Sequence, residues 1–396
     1  MKVIGMKKVY FFLIISMVVL YVNVGFGLDI SKSMKNPTTK YQEQIMEKVY
    51  DFCIQDDLLF ASLSIEEEIR IYNKSNPMAI ELINTIDCGY VTVLETIGDL
   101  LLVGHHYTSD ITIMNVSNPL DPQTVGIWDS EHDYQMDDLI IHENYILMSG
   151  IADSVIIINI SNPSLPTTIA TYYGEVSITL AFLRVYGNLL FRFRTGDAFE
   201  VISIEEIDNP EYITQISDFE MFRPKTMDMI VKNNYLIQVT GPGKFRVFDL
   251  ENVYSPELVA LGDYDVEKRR AVTQDENILY VSNMYDIYLM NITDPLNILT
   301  YGIIEDTGHI DKMVTDGDYL YCRYNLIDTG RLVVIPVEDA IDYEVIETTP
   351  PTSSPPGTSI SLDPTIELRM SGIIGGTLII TSMIVIIQRL VRKRKK

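Results

Sequence analysis

The sequence predicts an all-β fold, a seven-bladed β-propeller followed by a single C-terminal transmembrane helix. One observation is that pairs of short apolar runs, each pair split by a tight turn, recur seven times between residues 48 and 347. A second is the spacing of Pro77, Pro119, Pro163, Pro210, Pro256 and Pro295, which differ by 42, 44, 47, 46 and 39 positions. Four strands in about 40–45 residues, repeated radially, are typical of a propeller blade. The third observation is an uncharged apolar segment near the C-terminus.

The first element of each repeat is a two-residue hairpin turn. Gly, Asn and Asp tolerate the positive φ that such turns require. Glu143 and Glu276 are poorer turn formers, so a different turn type is expected there. The seven turns are Asp56-Asp57, Gly98-Asp99, Glu143-Asn144, Gly187-Asn188, Asn233-Asn234, Glu276-Asn277 and Gly317-Asp318.

Three further elements complete each repeat. An apolar strand follows the turn, as in LLFASL (58–63), and a β-branched strand follows that, as in ITIMN (111–115). Pro then ends the third strand, because it cannot donate into a ladder, and a weaker fourth strand such as TVGIW (124–128) follows. An open solenoid is the alternative, but no helical periodicity appears and a ring removes exposed edges. Either 36–41 or 343–346 could supply the closing outer strand.

Composition and charge exclude several classes of structure and function. Hydrophobic residues make up 47% and charged residues 21%, which excludes wholesale disorder. Residues 1–27 and 370–396 hold nine of the 30 cations and no acids, so the segment between carries 21 cations, 55 acids and a net charge of −34. Such a body repels phosphate backbones, so no nucleic-acid partner is expected. Three cysteines cannot form a disulfide framework.

The N-terminus has the parts of an export signal. Residues 1–27 combine three lysines, an apolar run and small residues, Gly25 and Gly27, before a cleavage site at Leu28. These features predict a signal peptide, with an uncleaved membrane anchor as the alternative. Residues 28–47 form an N-terminal segment that is a candidate for the ring-closing strand.

The C-terminus predicts a membrane anchor. Residues 348–369 form a Pro/Ser/Thr-rich stalk, and 370–388 are apolar and long enough to span a bilayer. Residues 389–396 form a basic tail that favours a cytoplasmic location. We therefore expect a single-pass cell-membrane protein whose N-terminal domain lies outside the cell.

The repeats resemble a known family. Segments such as DITIMNVSNPLDPQTVG (110–126) and SVIIINISNPSLPTTIA (154–170) resemble the LVIVD repeat of bacterial and archaeal surface proteins, over about 300 of the 396 residues. The resemblance implies a propeller fold and a surface location, and implies almost nothing about chemistry. Where that family favours Asp at the end of the third strand, this chain has Asn in four repeats; Asp249 keeps the acidic form.

Those four asparagines create glycosylation sequons. On an exported chain each could carry a glycan. The alternative is that the short polar side chain caps the turn before proline, which would make modification difficult. The four are Asn73, Asn115, Asn159 and Asn291.

Acidic loops at one face of the ring are the candidate binding site. Loops held by a rigid scaffold commonly bind partners, and clustered carboxylates suit Ca²⁺ or a cationic partner. A solvated acidic surface is the alternative. No cofactor other than this candidate Ca²⁺ is predicted, and no catalytic motif is found. The candidate residues are Asp129, Glu131, His132, Asp133, Asp263, Asp265, Glu305, Asp306, His309 and Asp311.

These features predict a surface binding or adhesion module. Its expected partners are other cell-surface proteins, an envelope polymer or glycans. Two alternatives remain: an extracellular hydrolase or lyase that uses carboxylates on the loop face, with one acid kept protonated by burial, and a structural coat component.

Overall fold

The computed structural model describes most of the repeat region. The predicted signal peptide, stalk, span and tail lie outside the described residues. Nowhere in the described ranges is there a helix of the length and apolarity that a membrane crossing needs. The described ranges are 41–45, 48–63, 65–105, 108, 110–130, 136–150, 154–174, 182–193, 198–217, 225–241, 244–263, 271–283, 285–326 and 329–342.

Within these ranges the chain forms 29 strands in seven antiparallel sheets. Before the first repeat lies β1 (Glu43–Ile45). The first two repeats contain β2 (Val49–Gln55), β3 (Leu58–Leu63), β4 (Glu68–Asn73), β5 (Glu81–Asp87), β6 (Val91–Ile97), β7 (Leu100–His105), β8 (Ile111–Asn115) and β9 (Gln123–Trp128). The third and fourth contain β10 (Asp138–His142), β11 (Tyr145–Ser149), β12 (Ser154–Asn159), β13 (Thr167–Tyr173), β14 (Phe182–Tyr186), β15 (Leu189–Phe193), β16 (Ala198–Ser203) and β17 (Glu211–Ser217).

The last three repeats complete the ring. The fifth and sixth contain β18 (Lys225–Lys232), β19 (Tyr235–Gly241), β20 (Lys244–Asp249), β21 (Glu257–Asp263), β22 (Val272–Asp275), β23 (Ile278–Ser282), β24 (Ile287–Asn291) and β25 (Leu299–Ile304). The seventh contains β26 (Ile310–Thr315), β27 (Tyr319–Leu326) and β28 (Thr329–Pro336), followed by a 3₁₀ turn (Val337–Asp339) and β29 (Ile341–Asp342). The prediction of an all-β, seven-bladed propeller is confirmed.

The predicted hairpin turns all have the backbone geometry that Gly, Asn and Asp favour. The first turn residue has positive φ in every repeat. Glu143 and Glu276 share it, with φ of 53° and 40°, so the different turn type expected there is not seen. The other five are Asp56 (47°), Gly98 (52°), Gly187 (54°), Asn233 (49°) and Gly317 (99°).

We expect Glu143→Gly to stabilise the protein. A non-glycine residue at positive φ is strained, whereas glycine accepts this conformation at some entropic cost, so the net gain is roughly 0.5–1 kcal/mol. The matched control is Gly98→Ala, whose added Cβ meets no atom within 4 Å and isolates the φ effect. It should lower stability by a similar amount. Equilibrium unfolding monitored by the single tryptophan, Trp128, measures both, and equal stability of all three proteins would contradict the assignment.

The core lies between blades. The buried apolar side chains form seven clusters among the described residues, and each joins two successive sheets. One of them packs Tyr321, Leu332 and Leu59 together, which joins the seventh sheet to the first. The described sheets therefore form a closed ring, and the open stack considered as an alternative is excluded.

The N-terminal segment closes the ring. β1 pairs antiparallel with β28 and becomes the outer strand of the seventh sheet. Arg331 Nη1 of β28 lies 2.8 Å from both carboxylate oxygens of Glu43. β29 instead pairs with β25 at the edge of the sixth sheet. The closing strand is thus Glu43–Ile45, and residues 36–40 and 343–346, considered for this role, lie outside the described residues.

We expect Ile45→Ala to weaken closure. Ile45 is 2% exposed and belongs to the cluster between the seventh and first sheets, so its truncation should cost about 2–4 kcal/mol. Ile65→Ala, at a residue that is 69% exposed, is the matched control and should leave stability unchanged. Chemical denaturation of the full chain compares them. Equal midpoints for the two variants would show that β1 does not contribute to closure.

Candidate functional site

The structure separates the predicted loop-face residues into three groups. Asp129, Glu305 and Asp306 are described and exposed. His309 is half-buried, whereas Asp311 lies on the wall of a central cavity and accepts a 2.6 Å hydrogen bond from Arg323 Nε. Asp263 is described only as the last backbone residue of β21. The remaining four lie outside the described residues: Glu131, His132, Asp133 and Asp265.

The four sequon asparagines occupy one turn type. In each, the side-chain Oδ1 accepts a hydrogen bond from the backbone N–H two residues later, at 2.8–3.0 Å. Asp249 makes the same bond to Glu251, at 2.8 Å. The asparagines therefore cap the turn before proline, as the alternative interpretation expects. Asn291 is exposed and the other three are half-buried. Glycosylation of these residues stays a prediction.

A cavity of about 860 Å³ lies on the axis of the ring. Its wall includes the innermost strand, or the residue before it, from every sheet. These residues come from the starts of the inner strands, which follow the connections from the preceding outer strands. The cavity therefore lies toward the end of the ring at which the predicted binding loops enter. Its volume is in the range of small-ligand sites.

The cavity wall is rich in ionisable side chains. Among the described residues six acids and four bases line it, an excess of two negative charges when all are ionised. The acids are Asp51, Glu95, Asp137, Asp138, Asp228 and Asp311, and the bases are Lys48, Arg184, Lys312 and Arg323.

Five of these ten charged residues form ion pairs across neighbouring sheets. Arg184 Nη2 lies 2.8 Å from Asp228 Oδ2, and its Nη1 lies 3.6 Å from Asp138 Oδ2. Lys312 Nζ forms an ion pair with Asp51 Oδ1. These pairs link the third, fourth and fifth sheets and join the seventh sheet to the first. No ion pair or hydrogen bond to the carboxylate of Glu95 occurs in the described part of the chain.

Two aspartates also bind the backbone of the next blade. Asp51 Oδ2 accepts a 2.8 Å hydrogen bond from Leu94 N, and Asp138 Oδ2 accepts a 2.8 Å bond from Leu183 N. The second carboxylate oxygen of Asp51 receives Lys312. The same side chains thus hold adjacent inner strands together and place charge on the cavity wall.

Burial shifts the titration of two wall carboxyls. Desolvation raises the pKa of Glu95 to about 7, since Lys312 offsets only part of that effect. Desolvation likewise raises the pKa of Asp138 to about 6, against the opposing influence of Arg184 and the Leu183 N–H. For Lys312, burial favours the neutral amine, but the Asp51 and Glu95 carboxylates outweigh it and raise the pKa.

Of these ten charged wall residues only Asp311 was among the sequence-predicted sites. A sequence signal exists for six of the others. Asp51, Asp138 and Asp228 each stand five positions before the first turn residue of their repeat, at Asp56, Glu143 and Asn233. Lys312 has the same offset from Gly317. Glu95 and Arg184 stand three positions before Gly98 and Gly187. Because side chains alternate along a strand, offsets of three and five share a side. Aligning the repeats on their turns would have found them.

We expect Glu95→Gln to change how stability depends on pH. The folded-state pKa of Glu95 is raised to about 7, so its ionisation destabilises the fold as pH rises from the unfolded-state value through 7. Glu95→Gln cannot ionise at this position and therefore does not lose stability in this way. Its stability relative to the parent protein should increase between pH 5 and pH 8 by about 1–3 kcal/mol and then level off.

The matched control is Glu81→Gln, at an exposed residue of β5. We expect this variant to keep the parental dependence of unfolding free energy on pH. Parallel profiles for Glu95→Gln and the parent would show that Glu95 ionises as freely in the folded state as in the unfolded one.

Comparisons with known proteins support the fold and nothing finer. No family model matches the chain, and no curated protein matches it. Among solved structures it is similar to the computationally designed protein Ika8 (TM-score 0.53, 10% identity, covering 74% of this chain and 98% of that one). It is also similar to Sqt1 of Saccharomyces cerevisiae (0.54, 9%, covering 74% and 84%) and to a protein from Lactobacillus plantarum (0.58, 9%, covering 67% and 86%). At such identities the likeness is one of fold alone.

Proposed function

We propose that this chain is a surface-displayed binding protein whose ligand occupies the central cavity of the propeller. One observation carries the proposal: a cavity of about 860 Å³ on the ring axis has a carboxylate, Glu95, that is unpartnered among the described residues. Glu95 is half-buried, and ionising a partly desolvated carboxylate without a partner is costly, so a ligand that pairs with it would relieve the cost. A propeller holds such a wall rigidly because seven sheets surround it.

The display at the cell surface rests on the ends of the sequence. Residues 1–27 have the composition of an export signal, and 370–396 have that of a membrane span followed by a basic tail. The resemblance to LVIVD repeats supports the same location. On this proposal the acidic propeller lies outside the cell, and its partners are other surface proteins, an envelope polymer or glycans.

The exposed acids have a supporting role in this proposal. Asp129, Glu305 and Asp306 lie in connections between an outer strand and the next inner strand, where the chain enters the cavity end of the ring. Their charge, with that of the acidic body, attracts cationic groups and raises the rate of encounter. The cavity then supplies the specific contacts.

Hydrolysis or lyase chemistry is a second candidate, favoured by one specific observation. Glu95 and Asp138 line the same cavity, and burial raises the pKa values of both, to about 7 and about 6. Two carboxyls that titrate near neutral pH suit general acid and base roles. Turnover by the parent protein that Glu95→Gln abolishes, with ligand binding retained, would favour this alternative over binding alone.

We expect Val93→Trp to abolish ligand capture. Val93 lies on the cavity wall, so an indole at this position should fill part of the space a ligand needs. Ile127→Trp is the matched control, since Ile127 lies on the outer strand β9 and is 59% exposed. Immobilised full chain would be incubated with envelope extract, and retained small molecules, glycans and proteins identified by mass spectrometry. A component kept by the parent and by Ile127→Trp, and lost from Val93→Trp, is the expected result. Identical retention by all three proteins would contradict a ligand site in the cavity.

A further inference from the structure

The charged groups around Glu95 indicate the sign of charge that a ligand would need in order to balance the cavity wall. Lys312 is neutralised by Asp51, and Arg184 lies against both Asp228 and Asp138. At the wall of the seventh sheet, Arg323 is bound to Asp311. Each of these cations therefore already has a carboxylate.

The acids exceed these cations on the side where Glu95 lies. Asp51, Asp138 and Asp228 already balance Lys312 and Arg184 with one negative charge left over, and Glu95 adds another. Lys48 also lines the cavity and reduces the excess, but the described residues of the wall keep six acids against four bases. An anionic ligand would meet this excess, whereas a cationic ligand would offset it.

The arrangement suits an organic cation rather than a metal ion. Calcium takes six to eight oxygen ligands around one point, and the described residues contain no group of three or more His, Cys, Asp or Glu placed to hold a metal. Aromatic rings lie in the same wall: Tyr50 and Tyr90 meet edge to face with centroids 5.4 Å apart, and Phe182 lies on the fourth sheet. The carboxylate favours an ammonium or guanidinium group, and the rings offer apolar surface to the rest of the ligand.

We propose that the central cavity binds an organic cation, a primary ammonium or a guanidinium group, with the carboxylate of Glu95 as its counter-charge and the Tyr50–Tyr90 pair as part of its apolar wall. This inference rests on the proposed function and names its ligand class. The cation has two sources, a free small amine or a Lys or Arg side chain of a partner protein, and the chemistry of recognition is the same for both.

Binding should strengthen as Glu95 ionises. Burial raises the pKa of Glu95 to about 7, and the charged groups that face it are Lys312 on β26, Asp51 on β2, Asp138 on β10 and Arg184 on β14. A bound cation stabilises the ionised carboxylate, so affinity should rise between pH 6 and pH 8. Added salt should weaken it.

The test is calorimetric titration of the full chain in a non-ionic detergent. One arm uses diaminopentane and agmatine as free cations, and the second uses end-blocked tripeptides with a central lysine or arginine. Pentanediol and glutarate are the neutral and anionic probes of similar length. We expect both cation arms, or one of them, to bind, with no binding of the diol or the dianion. The arm that binds more tightly identifies the source of the cation.

Two variants and the envelope experiment complete the design. Glu95→Gln should weaken cation binding roughly tenfold or more, because a charge-assisted contact is lost, whereas Glu81→Gln should not. Equal affinity of the two variants, tighter binding of glutarate than of the cations, or no cation binding by the parent would each overturn the inference. Suppose that the parent binds no cation but still captures an envelope component that Val93→Trp loses: the proposed function then survives and only the ligand class is wrong. If that capture is also absent, the proposed function and the ligand class are both wrong.

Discussion

Pairing of β1 with β28 is the constraint on which the rest of the fold depends. Each sheet buries apolar side chains only against its neighbours, so an unclosed ring would leave two sheet faces exposed to water. Three residues from the N-terminal end complete the last sheet, and Ile45 contributes to the cluster that joins it to the first. At the same junction Lys74 Nζ lies 2.9 Å from Asp316 Oδ2, which also accepts a bond from Tyr321 Oη. Burial opposes ionisation of Asp316, but these bonds outweigh it and lower its pKa, so this junction keeps its ion pair at neutral pH and weakens in acid.

Much of this architecture was predictable because it repeats. The seven turns, the strands beside them and the prolines follow from local physics, namely positive φ at the turn and the missing N–H of proline. The strand Glu43–Ile45 was not predictable to the residue: it is three residues long and has no hairpin partner nearby in sequence. The ion pair of Arg192 and Glu200 was also missed. Both side chains are fully buried, and Arg192 Nη1 lies 2.8 Å from Glu200 Oε2. The alternation of residues along the two strands indicates only that these side chains share a face of the sheet.

The sequence did not predict the cavity as a site for a different reason. Sequence reasoning placed the site in acidic loops, several of which lie outside the described residues, because loops carry most of the acidic clusters. The charged wall residues are spread over six of the seven repeats, with at most three in any one, so no single segment stands out. Packing of successive sheets around the axis brings Asp51, Glu95 and Asp138 into one space, and closure of the ring brings Lys312 to Asp51. Distance along the chain gives no indication of that proximity. The burial that raises the pKa of Glu95 is likewise a property of the closed ring.

Because side chains alternate along the inner strands, the residues that stabilise the fold are different from those that line the cavity. Residues four positions before the turn, such as Leu94, Leu183 and Met229, are buried and pack between blades. Residues three and five positions before the turn include those that face the axis, and these can carry charge without entering the apolar clusters. A wall carboxylate that lacks a partner lowers stability, and the seven inter-blade clusters compensate for it. Under the proposed function, binding of a cation would remove that cost and would couple ligand affinity to folding stability through Glu95. Under the same proposal, substitutions at the wall positions would change the ligand while the packing positions preserve the fold.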